Sequence, residues 1–429
     1  MPQPTDAHPG DSSAAAPTAT RRPAAHGWLT GISAVTAGSM VANIAAYLLH
    51  IPAGRWLGPA AYGEFASLLA AQLALAVPAL ALQSVVARQM VRGSSRAQQR
   101  ALGLRCVVIV AVLAAISAPI LTVLLHTSAT AAIASVMMAP VLVLLATEQG
   151  ILQGQSRFGE LALVIAGAGL AKVVPAVVVL AAGGSPGPAL IGSAAGLLVA
   201  TAAARLVVDL GARHDRDVEA GRSTGSLRAI LAASQVQLVI VALSSLDLVV
   251  VRAVVDREQA GLYALGAVAA KVAFWLPQAI GLVAYPRLAD PGQARAALRS
   301  ALGGLVGIGV LVVAAAAVAA PLASVVVGAA YQPVEPLLWV FALQGAALAV
   351  LQVALLSAIA RGRTRLAAVA WCAAAIELTL IATLAQTATG TITIAAGTAV
   401  ITAAITATVA LLGAGTRVDD RGGGALRSS

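Results

Sequence analysis

The chain has 429 residues, of which 59% are apolar and only 10% charged, and its formal net charge is +10. That balance excludes a string of soluble domains and puts the chain in a lipid bilayer. The positive charge does not mark a nucleic-acid binder, because aromatic residues are only 3% of the chain and the arginines sit in the breaks between apolar runs.

Residues 1–28 are rich in Ala, Pro, Ser and Thr and read as a cytoplasmic tail without regular structure. Arg21-Arg22 before the first apolar run mimics an export signal, but so many apolar runs follow that a topology anchor is the better reading. About a dozen runs reach the roughly 20 residues that cross a bilayer core. Their approximate limits are 29–51, 62–82, 101–125, 130–152, 159–182 and 188–208, then 229–251, 260–284, 300–320, 335–358, 366–386 and 390–412. They are rich in Ala, Leu and Gly without strict alternation, which selects helices over barrel strands. The expected fold is all-α and polytopic, with about twelve membrane helices.

The polar segment 209–228 divides an N-terminal bundle (29–208) from a C-terminal one (229–412), and residues 413–429 form a second cytoplasmic tail. Its mixed charges read as a solvated loop. Landmarks recur across this divide. GEFA (Gly63–Ala66), Pro78 and Arg88 are answered by GLYA (Gly261–Ala264), Pro277 and Arg287, and GQSR (Gly154–Arg157) by GRTR (Gly362–Arg365). The same order at an offset of roughly 200 residues indicates a duplicated six-helix unit. An even number of spans per unit makes the repeats parallel, with a pseudo-two-fold axis along the membrane normal and a cavity between the bundles.

With the N-terminus placed in the cytoplasm, the outer segments hold only Arg55, Arg252 and Arg257, while every other inter-span arginine falls inside. By the positive-inside rule both termini are cytoplasmic and the protein is a multi-pass protein of the cytoplasmic membrane. All but two of the 27 basic residues are arginine, and that bias, in an Ala-rich chain, carries no functional weight.

Charges inside spans do carry weight, because each costs at least about 2.5 kcal/mol at the bilayer centre. The two lysines, Lys172 and Lys271, fall near the middle of the fifth and eighth spans, one in each half. Facing the cavity, they would bind an anionic group such as a pyrophosphate; facing elsewhere, each would pair with a carboxylate or snorkel. Glu377 in the eleventh span and Asp247 near the outer end of the seventh are candidates for H⁺ or Na⁺ coupling, though Glu377 could instead pair with a lysine and Asp247 with Arg252. Glu148 lies close to the cytoplasmic end of its span and reads as structural. Arg55, in RWLGPAAYGEFA, stands where the positive-inside rule would not put it, and is either a headgroup contact or a substrate-lining residue; Asn43 is a second polar residue on the same span. Gly58-Pro59 ends the first span, and Pro78 and Pro277 are candidate hinges.

Nothing points to an enzyme. HExxH, GxSxG and Walker signatures are missing, and the histidines are dispersed at His8, His26, His50, His126 and His214. The outer loops leave no room for a catalytic domain. Cys106 and Cys372 read as small buried residues, with no disulfide or metal motif, and no cofactor is expected.

The stretches RWLGPAAYGEFASLLA, LQSVVARQMV and DLVVVRAVVDREQAGLYALGAVAAKVAFWLPQAIGLVAYPRL resemble the polysaccharide biosynthesis exporters. These are the O-antigen, teichoic-acid and capsule flippases of the multidrug/oligosaccharidyl-lipid/polysaccharide (MOP) superfamily. The resemblance runs from about residue 30 to 412. It implies two six-helix bundles around a V-shaped cavity, and translocation of an undecaprenyl-pyrophosphate-linked oligosaccharide by alternating access. It further implies a cationic cavity, for which this chain offers Arg55, Lys172, Lys271 and Arg252. Membrane lipids and the glycosyltransferases and polymerase of the same pathway are the implied partners. The two extra helices of the related lipid II flippases are missing, which argues against that assignment. Two other readings stay open: a cation-coupled drug or metabolite antiporter of the same fold, working through Asp247 or Glu377, and a non-transporting scaffold for envelope synthesis.

Overall fold

The computed structural model describes residues 25–211, 238–275, 294–360 and 365–412. The two tails, most of the segment 209–228, Pro277, Arg287 and the Gly362–Thr364 part of GRTR lie outside the described residues. The protein is an all-α polytopic membrane protein. Among the described residues nine helices are long and apolar enough to cross a membrane. The first of them, Ser33–Val91, has 59 residues, enough for two crossings.

The N-terminal half holds α1 (Ala25–Leu48), α2 (His50–Val91), α3 (Arg96–Leu124), α4 (Ala129–Gly154), α5 (Phe158–Ala181) and α6 (Pro186–Gly211). The chain turns back not between α1 and α2 but inside α2, where Gly58 takes φ 69° and ψ 170°. A positive φ is open to glycine at little cost, and Pro59 then presets the next helical turn. The first crossing therefore extends to Leu57, beyond the limit read from hydropathy. Pro78 keeps helical dihedrals, Gly58 being the one interruption of α2. Prolines also lie inside α3, α4 and α5, so Pro78 is not set apart as a hinge by its backbone.

Short polar loops stop and restart the helices. Ser95 and Gln98 form a reciprocal capping box at the head of α3, and Ser128 caps α4. Arg157, the last residue of GQSR, donates to the Val207 carbonyl at 2.9 Å and the Val208 carbonyl at 3.4 Å at the end of α6, besides pairing with Glu160. A cation there meets the unpaired carbonyls of a helix C-terminus.

In the C-terminal half a π-helical turn, Ala242–Leu246, leads into α7 (Asp247–Val254), followed by α8 (Arg257–Trp275) and α9 (Ala294–Ala319). Then come the short α10 (Leu322–Val327), a 3₁₀ segment (Ala329–Leu337), α11 (Leu338–Ala360), α12 (Arg365–Leu384) and α13 (Ala388–Leu412). In the first half α4 packs on α2, α3 and α6, and α5 on α1 and α6; in the second, α11 packs on α8, α9 and α13.

The two halves meet where α2 crosses α7 and α8. At that crossing stand the leading glycines of the two GxxA landmarks. A Cβ on Gly63 would lie 3.0 Å from the Gly261 nitrogen, and one on Gly261 only 1.9 Å from the Pro59 carbonyl oxygen. The duplicated glycines thus let two helix backbones touch, as small residues do between membrane helices. Further links sit at the same end of the molecule, which carries the arginine-poor loops and is labelled the outer end after the expectation drawn from the positive-inside rule. Tyr331 donates to the Gly54 carbonyl (3.2 Å), Ser67 to the Leu248 carbonyl (3.0 Å) and Arg55 to the Val326 carbonyl (3.3 Å).

Candidate functional site

Lys172 sits nine residues before the end of α5 and Lys271 fourteen residues into α8. At 1.5 Å per residue these positions lie roughly 14 and 21 Å below the outer end, well inside the hydrocarbon layer. Both side chains are half-buried, so each half places one lysine at depth without burying it completely.

Each lysine is held differently. Lys172 donates to Gln72 Oε1 at 3.0 Å, and Gln72 is a buried side chain of α2, 1% exposed. The amide fixes the ammonium without neutralising it. Lys271 shares a narrow cleft with Asp247, Ser244 and Gln344, and the Asp247 charge acts on it. Among the described residues, neither lysine makes a salt bridge within 4.0 Å.

Asp247 opens α7 directly after the π-helical turn, and its carboxylate is 1% exposed. It accepts from Tyr263 OH at 2.5 Å, from its neighbour Leu248 N at 2.8 Å, and from Gln344. These neutral donors satisfy it, and the expected pair with Arg252 is not formed. Glu377 on α12 is also 1% exposed. Its Oε2 accepts from Thr398 of α13 at 2.8 Å, while Oε1 has no partner among the described residues. The C-terminal half therefore contains two buried carboxylates, Asp247 satisfied by neutral donors and Glu377 with one oxygen unpartnered among the described residues, and an unsatisfied carboxylate oxygen suits a proton or a hard cation.

The remaining candidates lie elsewhere. Arg55 is exposed at the outer end, and its guanidinium donates to the Val326 carbonyl near the end of α10. Arg252 is buried at the outer seam, with Nε and Nη1 unpartnered among the described residues. The opposing charge that acts on it most is Glu64 of the other half, itself bonded to Thr127. Asn43 is exposed on α1. Glu148 takes a bidentate pair from Arg100 at 2.8 and 2.9 Å, and Arg100 also reaches Asp209 at 2.8 Å, in keeping with its structural reading.

Sequence reasoning missed His50, Tyr62 and Gln72. His50 Nδ1 lies 2.8 Å from the Tyr62 hydroxyl. The available signal was a histidine at the end of an apolar run, eight residues before Gly58. Among the described residues no group of three or more His, Cys, Asp or Glu side chains could hold a metal ion.

No family model matches the chain, and no curated protein matches it. Solved structures do. The lipid II flippase MurJ in an inward closed conformation aligns with a TM-score of 0.67 and 12% identity, covering 90% of this chain and 86% of that one. The eukaryotic MATE transporter AtDTX14 gives 0.54 and 17%, covering 90% and 100%. A MOP superfamily transporter from Pyrococcus furiosus, described as having a binding pocket of reverse polarity, gives 0.52 and 14%, covering 90% and 95%.

Proposed function

The fold of this chain is the one shared by those MATE and MOP transporters, and we propose that the protein is a transporter of this kind. Specifically, we propose a flippase that moves an undecaprenyl-pyrophosphate-linked oligosaccharide across the cytoplasmic membrane by alternating access, with both termini in the cytoplasm. The observation that supports the reading is a half-buried lysine at mid-membrane depth in each half, Lys172 and Lys271, neither of them in a salt bridge within 4.0 Å among the described residues. Charges left unpaired inside a membrane are costly unless an anion arrives to meet them. A pyrophosphate supplies that anion, and point-charge ammoniums tolerate whatever sugar follows it. The halves are in contact at the outer end, and in this reading the substrate enters from the other end, where it is assembled.

Asp247 and Glu377 supply the second half of the mechanism as a coupling site for H⁺ or Na⁺, outside the path of the anion. An antiporter that uses only this acidic pair and carries a cationic drug is the alternative. The two are separated in a deletion strain by assaying surface polysaccharide and extracting lipid-linked oligosaccharide from its membranes. Loss of polymer with accumulation of precursor supports the flippase. Unchanged polymer with altered sensitivity to cationic drugs sinks it and favours the antiporter.

A further inference from the structure

One arginine is repeated across the two halves, and its two copies live in different surroundings. Arg299 follows Arg100 by the same interval at which Pro277 follows Pro78 and Arg287 follows Arg88, and each stands in the first two turns of its helix, α9 and α3. Arg100 is bracketed by acids: Glu148 of α4 accepts from it at 2.8 and 2.9 Å, and Asp209 of α6 at 2.8 Å. By the interval between GQSR and GRTR the place of Glu148 is taken by Leu356, and neither α11 nor α13 carries an acid. Among the described residues Arg299 makes no salt bridge within 4.0 Å. It lines instead a cavity of about 880 Å³ between α9, α11 and α13, whose remaining walls are almost wholly apolar. Gly303 keeps that cavity wide next to the arginine, since a Cβ there would meet nothing within 4 Å.

Depth and chemistry together say what suits such a cavity. From Arg299 to Ala317 it follows α9 for roughly 27 Å, close to the thickness of a bilayer core. The half nearest Arg299, with Leu302, Gly303 and Val306 of α9 facing Ala407 and Leu411 of α13, covers the ~15 Å that the chains of one leaflet fill. Apolar walls of that depth suit an acyl chain, and an arginine at their rim suits a phosphate. We propose that this half of the cavity is a binding site for an anionic glycerophospholipid, with its phosphate on Arg299 and an acyl chain along Gly303. The lipid then gives the second half what Glu148 and Asp209 give the first, a counter-charge for the repeated arginine. A zwitterionic lipid offers the same chain but carries its own cation beside the phosphate, so the arginine selects for net negative charge. The site stands apart from Lys172 and Lys271 and does not depend on what they bind.

The test is a titration of the purified full-length protein in detergent, read by native mass spectrometry, with dioleoyl phosphatidylglycerol and dioleoyl phosphatidylcholine as probes. Wild type should bind phosphatidylglycerol the more tightly. Arg299 is exposed, so its variants keep the fold. Arg299→Gln should weaken phosphatidylglycerol by roughly tenfold, the value of one hydrogen bond to a charged group, and leave phosphatidylcholine unchanged. Arg299→Lys keeps a point charge and should fall between the two. Gly303→Leu enters open space, so it should fill the cavity and weaken both lipids without lowering the unfolding temperature of the protein. Arg92→Gln removes another exposed arginine from the same end of the molecule and should change neither affinity. Equal losses in Arg92→Gln and Arg299→Gln overturn the proposal, because they reduce it to diffuse attraction by a basic face. So does full binding of both lipids in Gly303→Leu, which puts the chain elsewhere. Undecaprenyl phosphate that binds more tightly than phosphatidylglycerol, and only while Arg299 is present, overturns the phospholipid assignment and gives the site to a polyprenyl lipid.

Discussion

Lys172 and Lys271 owe their value to their setting: a lysine at mid-membrane is tolerated only where water, protein dipoles or an anion replace the solvent it has lost. Gln72 gives Lys172 a dipole and no charge, so Gln72→Leu should impair export almost as much as Lys172→Ala, while Gln72→Glu, which supplies a counter-ion, should abolish it. Both effects are read as surface polymer at matched protein level, and normal export in Gln72→Glu argues against an anion at this point. Arg252 presents the opposite case, a buried guanidinium with two donors unpartnered among the described residues. Replacing such a group by an apolar one of similar length removes a desolvation cost. Arg252→Met should therefore raise the stability of the purified protein, by about 1–3 kcal/mol in denaturant titration. If export falls in the same variant, Arg252 serves another state of the cycle; if stability falls, Glu64 is already its working partner. Breaking the Glu148 bridge should act in the other sense, Glu148→Ala costing roughly 1–3 kcal/mol because Arg100 keeps only Asp209.

Among the elements, α2 decides most. Its turn at Gly58 folds two crossings into one near-continuous helix, and its crossing with α8 at Gly63 and Gly261 seals the outer end. Glycine at these points is demanded by a positive φ in one case and by backbone contact in the others. A larger residue at Gly261 has no room against the Pro59 carbonyl, so Gly261→Val should hold the outer end apart. Cys372, read from the sequence as buried, is exposed on α12 and has to be replaced by serine before labelling; the distance between spin labels at His126→Cys and Arg257→Cys should then lengthen in that variant, and an unchanged distance means the helices slide to absorb the branch. Hydropathy placed the break between the first two spans correctly in kind, since Gly-Pro is a turn signal in any context. It missed the length of the first crossing because Ala53 and Gly54 are as acceptable in an interfacial segment as in a buried one, and only the packing of Tyr331 on Gly54 decides between them.

For the whole molecule, the α2, α7 and α8 contacts that join the halves at one end are those that the proposed alternating-access cycle would have to part. Coupling to a cation at Asp247 and Glu377 would supply the driving force. Glu377→Gln leaves the shape of the side chain and removes its charge, and should make export in vesicles insensitive to an imposed Na⁺ or H⁺ gradient while pyrophosphate binding at the lysines persists. A gradient response identical to wild type would leave the acidic pair a structural role.

Much of this was decided by the order of residues alone. Apolar runs of membrane length, a repeated set of landmarks and the crowding of arginine into alternate loops are local or periodic properties, so the all-helical membrane fold and the two lysines as exceptions could be read without coordinates. Membership of a site is a different kind of property. Lys172 and Lys271 are separated by about a hundred residues, and nothing local says that Gln72 holds the first and a cleft with Asp247 the second while Arg55 and Arg252, equally anomalous by charge, lie at the seam. His50 escaped notice because a lone histidine is unremarkable until Tyr62 is found beside it. The same holds for Gly63 and Gly261, legible as a repeat but not as mutual neighbours. Helix formation depends on each segment satisfying its own backbone in lipid, whereas which side chains share a cavity depends on how two bundles lean together, and only the tertiary structure records that.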